Sequence, residues 1–369
     1  MSPTGRVGVG VVGAGVISDQ YLRNLTSFPD LDVGFVADID LGRAETQAER
    51  YGIARFGTVE ELFARTDVEI VVNLTVPSAH VEVALGAIRA GKHVWSEKPF
   101  ALDRRSGRRL LDEAASRSLR VASAPDTFLG AGLQSALRLV AGGRIGEPLT
   151  ALALMQSPGP DSWHPDPEFL FQEGGGPLFD VGPYYLTTLV QVFGPALDVF
   201  AASSTARPQR VIGSGPRAGT SFEVRVPTHH GALIRFRSGA SAQVIFSFET
   251  YRSRTGFVEV AGSTGTLVLP DPNTFDGDSV VFDADHREGE TFPARGSTSS
   301  RGTGVVELAQ AIRGGRAERA NGEQAFHVLD LMVAIAESAA TGKVVAVESS
   351  FEKAPPLALE WDPMTATLA

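Results

Sequence analysis

The chain contains no cysteine, which excludes disulfides, thiolate catalysis and cysteine-based zinc sites and suits a reducing, cytoplasmic setting. It has no block of Lys or Arg either: 33 basic residues face 43 acidic ones, for a net charge of -10. That balance argues against nucleic acid or an anionic membrane surface as a partner and leaves small molecules. No stretch approaches the roughly 18 uninterrupted apolar residues of a membrane span. The opening MSPTGRVGVGVVGAGVI has only Arg6 ahead of its apolar run and no small-residue cleavage site after it, so it reads as a first strand rather than a leader.

What is present is the composition of a soluble globular protein, 43% hydrophobic and 21% charged over 369 residues, enough for two cores. From residue 7 to about 145, the apolar runs VGVGVV, VGFVA, EIVVNLT, HVWSE and RVASA alternate with the amphipathic stretches GRAETQAERYG, TVEELFA, SAHVEVALGAIRAGK and DRRSGRRLLDEAASRS. Such alternation predicts βαβ units and a doubly wound parallel sheet. After GGRIGEP the pattern becomes alternating and rich in Thr, Val, Phe and Ser, with turns at GSTG and PDPN, which predicts an α+β domain built on a large, mostly antiparallel open sheet. The boundaries expected are 1–125 and 126–369, with a segment near 351–369 or 131–143 packing back as a helix on the first domain. Two late helices are expected at GVVELAQAIRGG and GEQAFHVLDLMVAIAESAATG, and a mobile surface loop at 286–303.

The run GVGVVGAGVIS sets Gly13 and Gly15 after the first strand and before the helix SDQYLRNL. Gly13 permits a tight turn, Gly15 lets backbone approach a pyrophosphate, and the helix start with Val16 and Ile17 offers N–H groups and a positive dipole end. Ser18 replaces the third glycine of this Rossmann pattern and is still small. The next strand ends in Asp38, 20 residues beyond Ser18, where a carboxylate accepts from a ribose 2′-hydroxyl or else simply caps the strand. A carboxylate there repels a 2′-phosphate, so NAD is expected over NADP, although Arg43 on the next helix is within sequence reach of it.

The stretch GKHVWSEKPFAL contains Glu97, Lys98 and Pro99 at a strand end, and the upstream NLTVPSAH contains Thr75, Pro77 and His80. With these motifs, GGRIGEP and VEVAGSTGTLVLPDPN, the whole chain resembles the glucose-fructose oxidoreductase, inositol dehydrogenase and rhizopine catabolism (Gfo/Idh/MocA) family. The resemblance implies a nicotinamide cofactor contacted by Thr75, Pro77, His80, Glu97 and Lys98. It also implies a lysine, Lys98, beside nicotinamide and substrate, and a cis proline peptide at Pro99. A cation at the carboxyl edge of the sheet can bind a substrate hydroxyl and stabilise developing alkoxide charge, whereas most lysines merely face water.

The family's second motif, G-G-G-x-L-x-D-x-G-x-H, is met by Gly174, Gly175, Gly176, Leu178, Asp180 and Gly182, but Tyr184 stands at the histidine position. The resemblance therefore points to a tyrosine-type subgroup. Removing a hydride from a sugar carbon requires that the hydroxyl proton leave too, and a phenol with a pKa near about 10 needs its pKa lowered to accept it. The expectation is that Tyr184 takes the proton, Lys98 polarises the oxygen and lowers the phenol, and Asp180 holds a substrate hydroxyl or orients the lysine. Tyr185 points about 100° away on the same helix. Pro183 favours the first helical position, which makes Gly182 the cap and leaves Asp180 in an entry loop.

The segment SWHPDPEF gathers Trp163, His164, Asp166 and Glu168 and suggests a pocket rim, with Trp163 stacking on a sugar and His164 bonding hydroxyls. These residues lack a recognised metal-ligand spacing, and no metal is expected. Asp126, next to Phe128 in the loop APDTFLGAGLQ, lies where relatives place substrate contacts. His229 and His230 are expected at a solvated hairpin turn, and His327 in the core or at the surface. The leading reading is a dehydrogenase acting with NAD on a secondary hydroxyl of a sugar, inositol or glycoside. The alternatives are an NAD-dependent glycosidase with transient oxidation and a non-catalytic sugar or nucleotide sensor. The open sheet implies, by resemblance, a homodimer or homotetramer.

Overall fold

Six parallel strands form the first sheet of the computed structural model, which describes residues 5–298 and 300–368. They are β1 (Val7–Val12), β2 (Leu31–Ala37), β3 (Phe56–Gly57), β4 (Ile70–Asn73), β5 (His93–Ser96) and β6 (Val121–Ser123), in the order β3-β2-β1-β4-β5-β6. The crossovers are α1 (Val16–Leu25), α2 (Leu41–Arg50), α3 (Val59–Phe63), α4 (His80–Arg89) and α5 (Arg104–Ser116). All four residues of β4 are buried, as the continuous apolar run of a strand covered on both faces requires. Helix starts are chemically marked: Asp40 caps α2, Asp103 caps α5, and Thr58 with Glu61 forms a capping box on α3.

Another compact unit comprises residues 131–295 and 327–352. It contains α6 (Ala131–Ala141), β7 (Pro148–Gln156), α7 (Gly176–Asp180), α8 (Gly182–Phe193), β8 (Ala196–Ser204), β9 (Gln209–Val211) and β10 (Ser221–Glu223). It continues with β11 (His229–Phe236), β12 (Ser241–Ser247), β13 (Arg254–Gly262), β14 (Gly265–Leu269), β15 (Ser279–Asp283) and β16 (Glu290–Phe292). Together with β17 (Val345–Ala346), they make a nine-stranded sheet of order β16-β15-β14-β13-β7-β12-β11-β8-β17, while β9 and β10 form a separate ribbon. Only β7 and β12 run parallel within the large sheet. Alternation along β11 and through the middle of β12 and β7 buries Ile234, Val244 and Ala153 on one face.

The first unit is completed from afar by Gly296–Phe326 and the tail from Lys353. The segment 351–369, expected as a helix, has none among its described residues, because Pro355, Pro356 and Pro363 interrupt it. The helix that joins the first unit is α9 (Thr303–Arg313), while the helix at 131–143 belongs to the second unit. Helix α10 spans Gly322–Thr341. Within the 286–303 segment, β16 pairs with β15 and Arg144 bonds Glu290 at 2.6 Å, while Ser299 lies outside the described residues. His230 is buried within β11 rather than solvated in a turn. His327 is core, accepting the Ala196 N–H at 2.9 Å. No helix among the described residues is long and apolar enough to cross a membrane.

Candidate active site

The loop after β1 is shaped by two glycines with different tasks. Gly13 has φ +102°, and a Cβ there would stand 2.8 Å from the Leu74 carbonyl. Only glycine fits. Gly15 caps α1, and nothing lies within 4 Å of where its Cβ would be. Backbone is thus presented to open space at a helix N-terminus, with Val16 91% exposed, Ile17 half-buried and Ser18 tucked beneath, its Oγ donating to the Gly15 carbonyl at 2.6 Å. This cradle has the shape and polarity that a pyrophosphate requires. Asp38 Oδ2 accepts the Ala14 N–H at 2.6 Å and Oδ1 accepts the Asp40 N–H at 2.8 Å, so the acid at the end of β2 also braces the loop. Arg43 is turned to Asp40, 3.3 Å away.

The Thr75 loop leaves the carboxyl end of β4, which pairs with β1, and the Lys98 loop leaves that of β5, which pairs with β4. His80 clamps them together: Nδ1 lies 2.9 Å from the Pro99 carbonyl and Nε2 lies 2.8 Å from the Thr75 carbonyl. It is buried, and burial pulls its pKa below the ordinary imidazole value. Thr75 Oγ1 bonds Asn73 at 2.7 Å, and Pro77 opens the short 3-10 turn that leads into α4. The Lys98–Pro99 peptide is cis. Glu97 is buried, accepting from the Tyr21 hydroxyl at 2.7 Å and from the Lys98 N–H at 3.0 Å. Burial, followed by the charge of Glu97, raises the Tyr21 pKa well above that of a free phenol, so Tyr21 is the donor. His80 and Glu97, expected at the cofactor, hold the loops that carry Thr75 and Lys98. Tyr21 has no local sequence signal, since only the fold brings α1 under β5.

Asp126, expected at the substrate, is buried. Its Oδ2 accepts the N–H groups of Gly302 at 2.9 Å and Gly304 at 3.0 Å, at the start of α9. Burial raises its pKa to about 6 against the pull of those donors.

In the second unit, Pro177 starts α7, so Asp180 ends a short helix and is half-buried, not part of an irregular entry loop. Val181 joins α7 to α8, and Pro183 falls in the first turn of α8. The glycines serve packing within this unit: a Cβ on Gly175 would stand 2.7 Å from the Leu170 carbonyl, and one on Gly176, at φ +72°, 3.0 Å from the Pro227 oxygen. Tyr184 and Tyr185 are both buried and diverge as helix geometry demands. Tyr185 accepts the Gly256 N–H at 2.7 Å, and burial pushes its phenol far up, which leaves it a structural acceptor. Trp163 is exposed and His164 half-buried on the loop before α7. Among the described residues, no group of three or more His, Asp or Glu is placed to hold a metal ion.

Residues 7–124 match the model described as the oxidoreductase family with an NAD-binding Rossmann fold, and residues 133–268 match that of the GFO/IDH/MocA C-terminal domain. The chain belongs to the Gfo/Idh/MocA family. It is an NAD(P)-binding oxidoreductase whose relatives include sugar and polyol dehydrogenases and reductases. The 1,5-anhydro-D-fructose reductase of Ensifer adhaerens is 29% identical over 349 residues, 92% of this chain and 98% of the relative. A trans-1,2-dihydrobenzene-1,2-diol dehydrogenase of Bos taurus is 27% identical over 309 residues, 82% and 86% of the two chains. Levoglucosan dehydrogenase in complex with NADH and levoglucosan shares the fold, with a TM-score of 0.81 at 21% identity over 93% of this Gfo/Idh/MocA chain and 100% of that one.

Proposed function

We propose that this Gfo/Idh/MocA protein is an NAD-dependent dehydrogenase for a secondary hydroxyl of a sugar, inositol or glycoside. The observation that carries the reading is the open cradle at Gly15, braced by Asp38, on the same carboxyl edge of the sheet as the Lys98 loop. Gly13, Gly15, Val16 and Ile17 hold the pyrophosphate, Asp38 receives the ribose hydroxyls and disfavours a 2′-phosphate, and Thr75 and Pro77 flank the nicotinamide end. When bound, NAD supplies the hydride acceptor.

The chain's own groups handle the proton and the charge. Lys98, held by Glu97 through its own N–H, binds the reacting oxygen and stabilises alkoxide character. Tyr184, in the first turn of α8 where the helix end favours negative charge, accepts the hydroxyl proton, and Asp180 orients a neighbouring hydroxyl. Two rows on the solvent face of the large sheet support a homodimer or homotetramer built there. One pairs Phe200 with Leu233, and the other runs through Gly231, Ile245, Leu154 and Phe257. The absence of cysteine supports a cytoplasmic setting.

The test is NADH formation over a panel of sugars, inositols and glycosides, followed by Tyr184→Phe across pH. Turnover that falls on the order of a hundredfold, with loss of the basic group from the pH profile, supports the assignment. Unchanged turnover and profile would remove Tyr184 as the base. Glycoside hydrolysis that needs NAD but yields no net NADH would replace the dehydrogenase with a glycosidase.

A further inference from the structure

The loop between β7 and α7 presents three aromatic rings in an edge-to-face chain. Trp163 and His164 have ring centroids 5.6 Å apart at 64°, and His164 and Phe169 have theirs 5.6 Å apart at 70°. Trp163 is 66% exposed and Phe169 48% exposed. His164 Nδ1 accepts the Asp166 N–H at 3.0 Å, so the neutral ring carries its proton on Nε2 and offers a donor. Two exposed aromatic side chains flanking one N–H donor suit a pyranose, whose C–H face lies on an aromatic ring while its hydroxyls take hydrogen bonds.

The rings are held in place, not loosely displayed. Arg210, whose side chain is wholly buried, leaves the β9–β10 ribbon to bond the Pro158 carbonyl at 2.8 Å and Asp161 at 2.7 Å, while its other nitrogen reaches Glu249 at 2.8 Å. The Gly213 N–H donates to the Asp161 carbonyl at 2.7 Å, and Ser214 Oγ donates to the carbonyl of Trp163 itself at 2.7 Å. Farther along, Arg217 pairs with Glu168 at 2.8 Å, next to Phe169. Residues 210–214 therefore fix the backbone at Asp161 and Trp163, which removes ordering entropy from a binding event there.

We propose that Trp163, His164 and Phe169 form a subsite for a second sugar ring, so that the physiological substrate is a disaccharide or a related glycoside rather than a free monosaccharide. The proposal rests on the sugar-oxidising reading above, since the loop runs directly through Gly174–Gly176 into the helices of Asp180 and Tyr184.

The test uses the full chain saturated with NAD and matched probes in the gluco, galacto and manno series, each a methyl glycoside and a disaccharide sharing its non-reducing sugar, titrated by calorimetry. In at least one series the disaccharide should bind about tenfold more tightly, the factor a stacked ring supplies. The Trp163→Ala/Phe169→Ala double variant should bring that ratio to about one at an unaltered melting temperature. A native ratio of one in every series, or a preference that survives in the variant, overturns the subsite. So does a variant whose only change is lost self-association in light scattering, since the rings then belong to an interface between copies. Monosaccharide binding without a disaccharide preference sinks the subsite alone, whereas NAD binding with no sugar bound in any series sinks the sugar reading as well.

Discussion

Asp38 and Ala14 are joined by a 2.6 Å hydrogen bond from the backbone N–H of the glycine loop to Oδ2 of an acid 24 residues later. The same carboxylate both shapes the loop and carries the charge that would discriminate between nucleotides. Asp38→Ala should weaken NADH on the order of tenfold, as expected for the loss of a charged acceptor, and should raise NADPH affinity relative to NADH. Fluorescence titration of both nucleotides checks this. A native protein that prefers NADPH would remove the assignment to NAD.

Gly13 and Gly15 separate folding from binding. Gly13→Ala forces a side chain into a left-handed turn and onto the Leu74 carbonyl, so it should lower stability by about 2 to 4 kcal/mol in denaturant titration. Gly15→Ala meets no atom and has an ordinary φ of -77°, so its melting temperature should hold while NADH affinity falls. Equal NADH affinity in Gly15→Ala would place the pyrophosphate elsewhere.

Acid should destabilise the fold between about pH 6.5 and pH 4. Burial lowers the pKa values of His93, His230 and His327 to about 4, below the ordinary imidazole value. Each contributes stability that is full above the unfolded pKa and lost as pH falls through the folded one, with a ceiling on the order of 3 kcal/mol apiece. Asp126 acts oppositely: its pKa is raised to about 6, so its contribution is present at low pH and lost as pH rises through 6. The net slope should follow the three histidines. Denaturant midpoints measured from pH 4 to 7 should flatten in His230→Phe and steepen in Asp126→Asn.

Arg210 should matter more than any surface arginine. Arg210→Met leaves the largely buried Asp161 without its cation and Glu249 with Arg207 alone, which should cost about 3 to 5 kcal/mol. Arg217→Met, at a half-exposed pair, should leave the denaturant midpoint nearly unchanged. Similar midpoints for the two variants would show that the ribbon is not anchored by Arg210.

Local sequence chemistry by itself determined the alternation of strands and crossover helices, the turn at Gly13, the opening at Gly15 and the acid at Asp38. Period, turn preference and helix-start chemistry are short-range and can be read one segment at a time. The family motifs likewise marked the Lys98 loop and the tyrosine pair. Only tertiary structure decided which buried polar groups are spent on holding the fold. Asp126 braces the start of α9, His80 and Glu97 tie loops to buried partners, and Tyr185 accepts from Gly256. Gly175 and Gly176 of GGGPLFD lie against the backbone of Leu170 and Pro227. The deciding partners lie far off in sequence, from Pro99, 19 residues beyond His80, to Gly304, 178 residues beyond Asp126, and no local pattern specifies them. A buried polar group must find whichever partner the packed core brings to it.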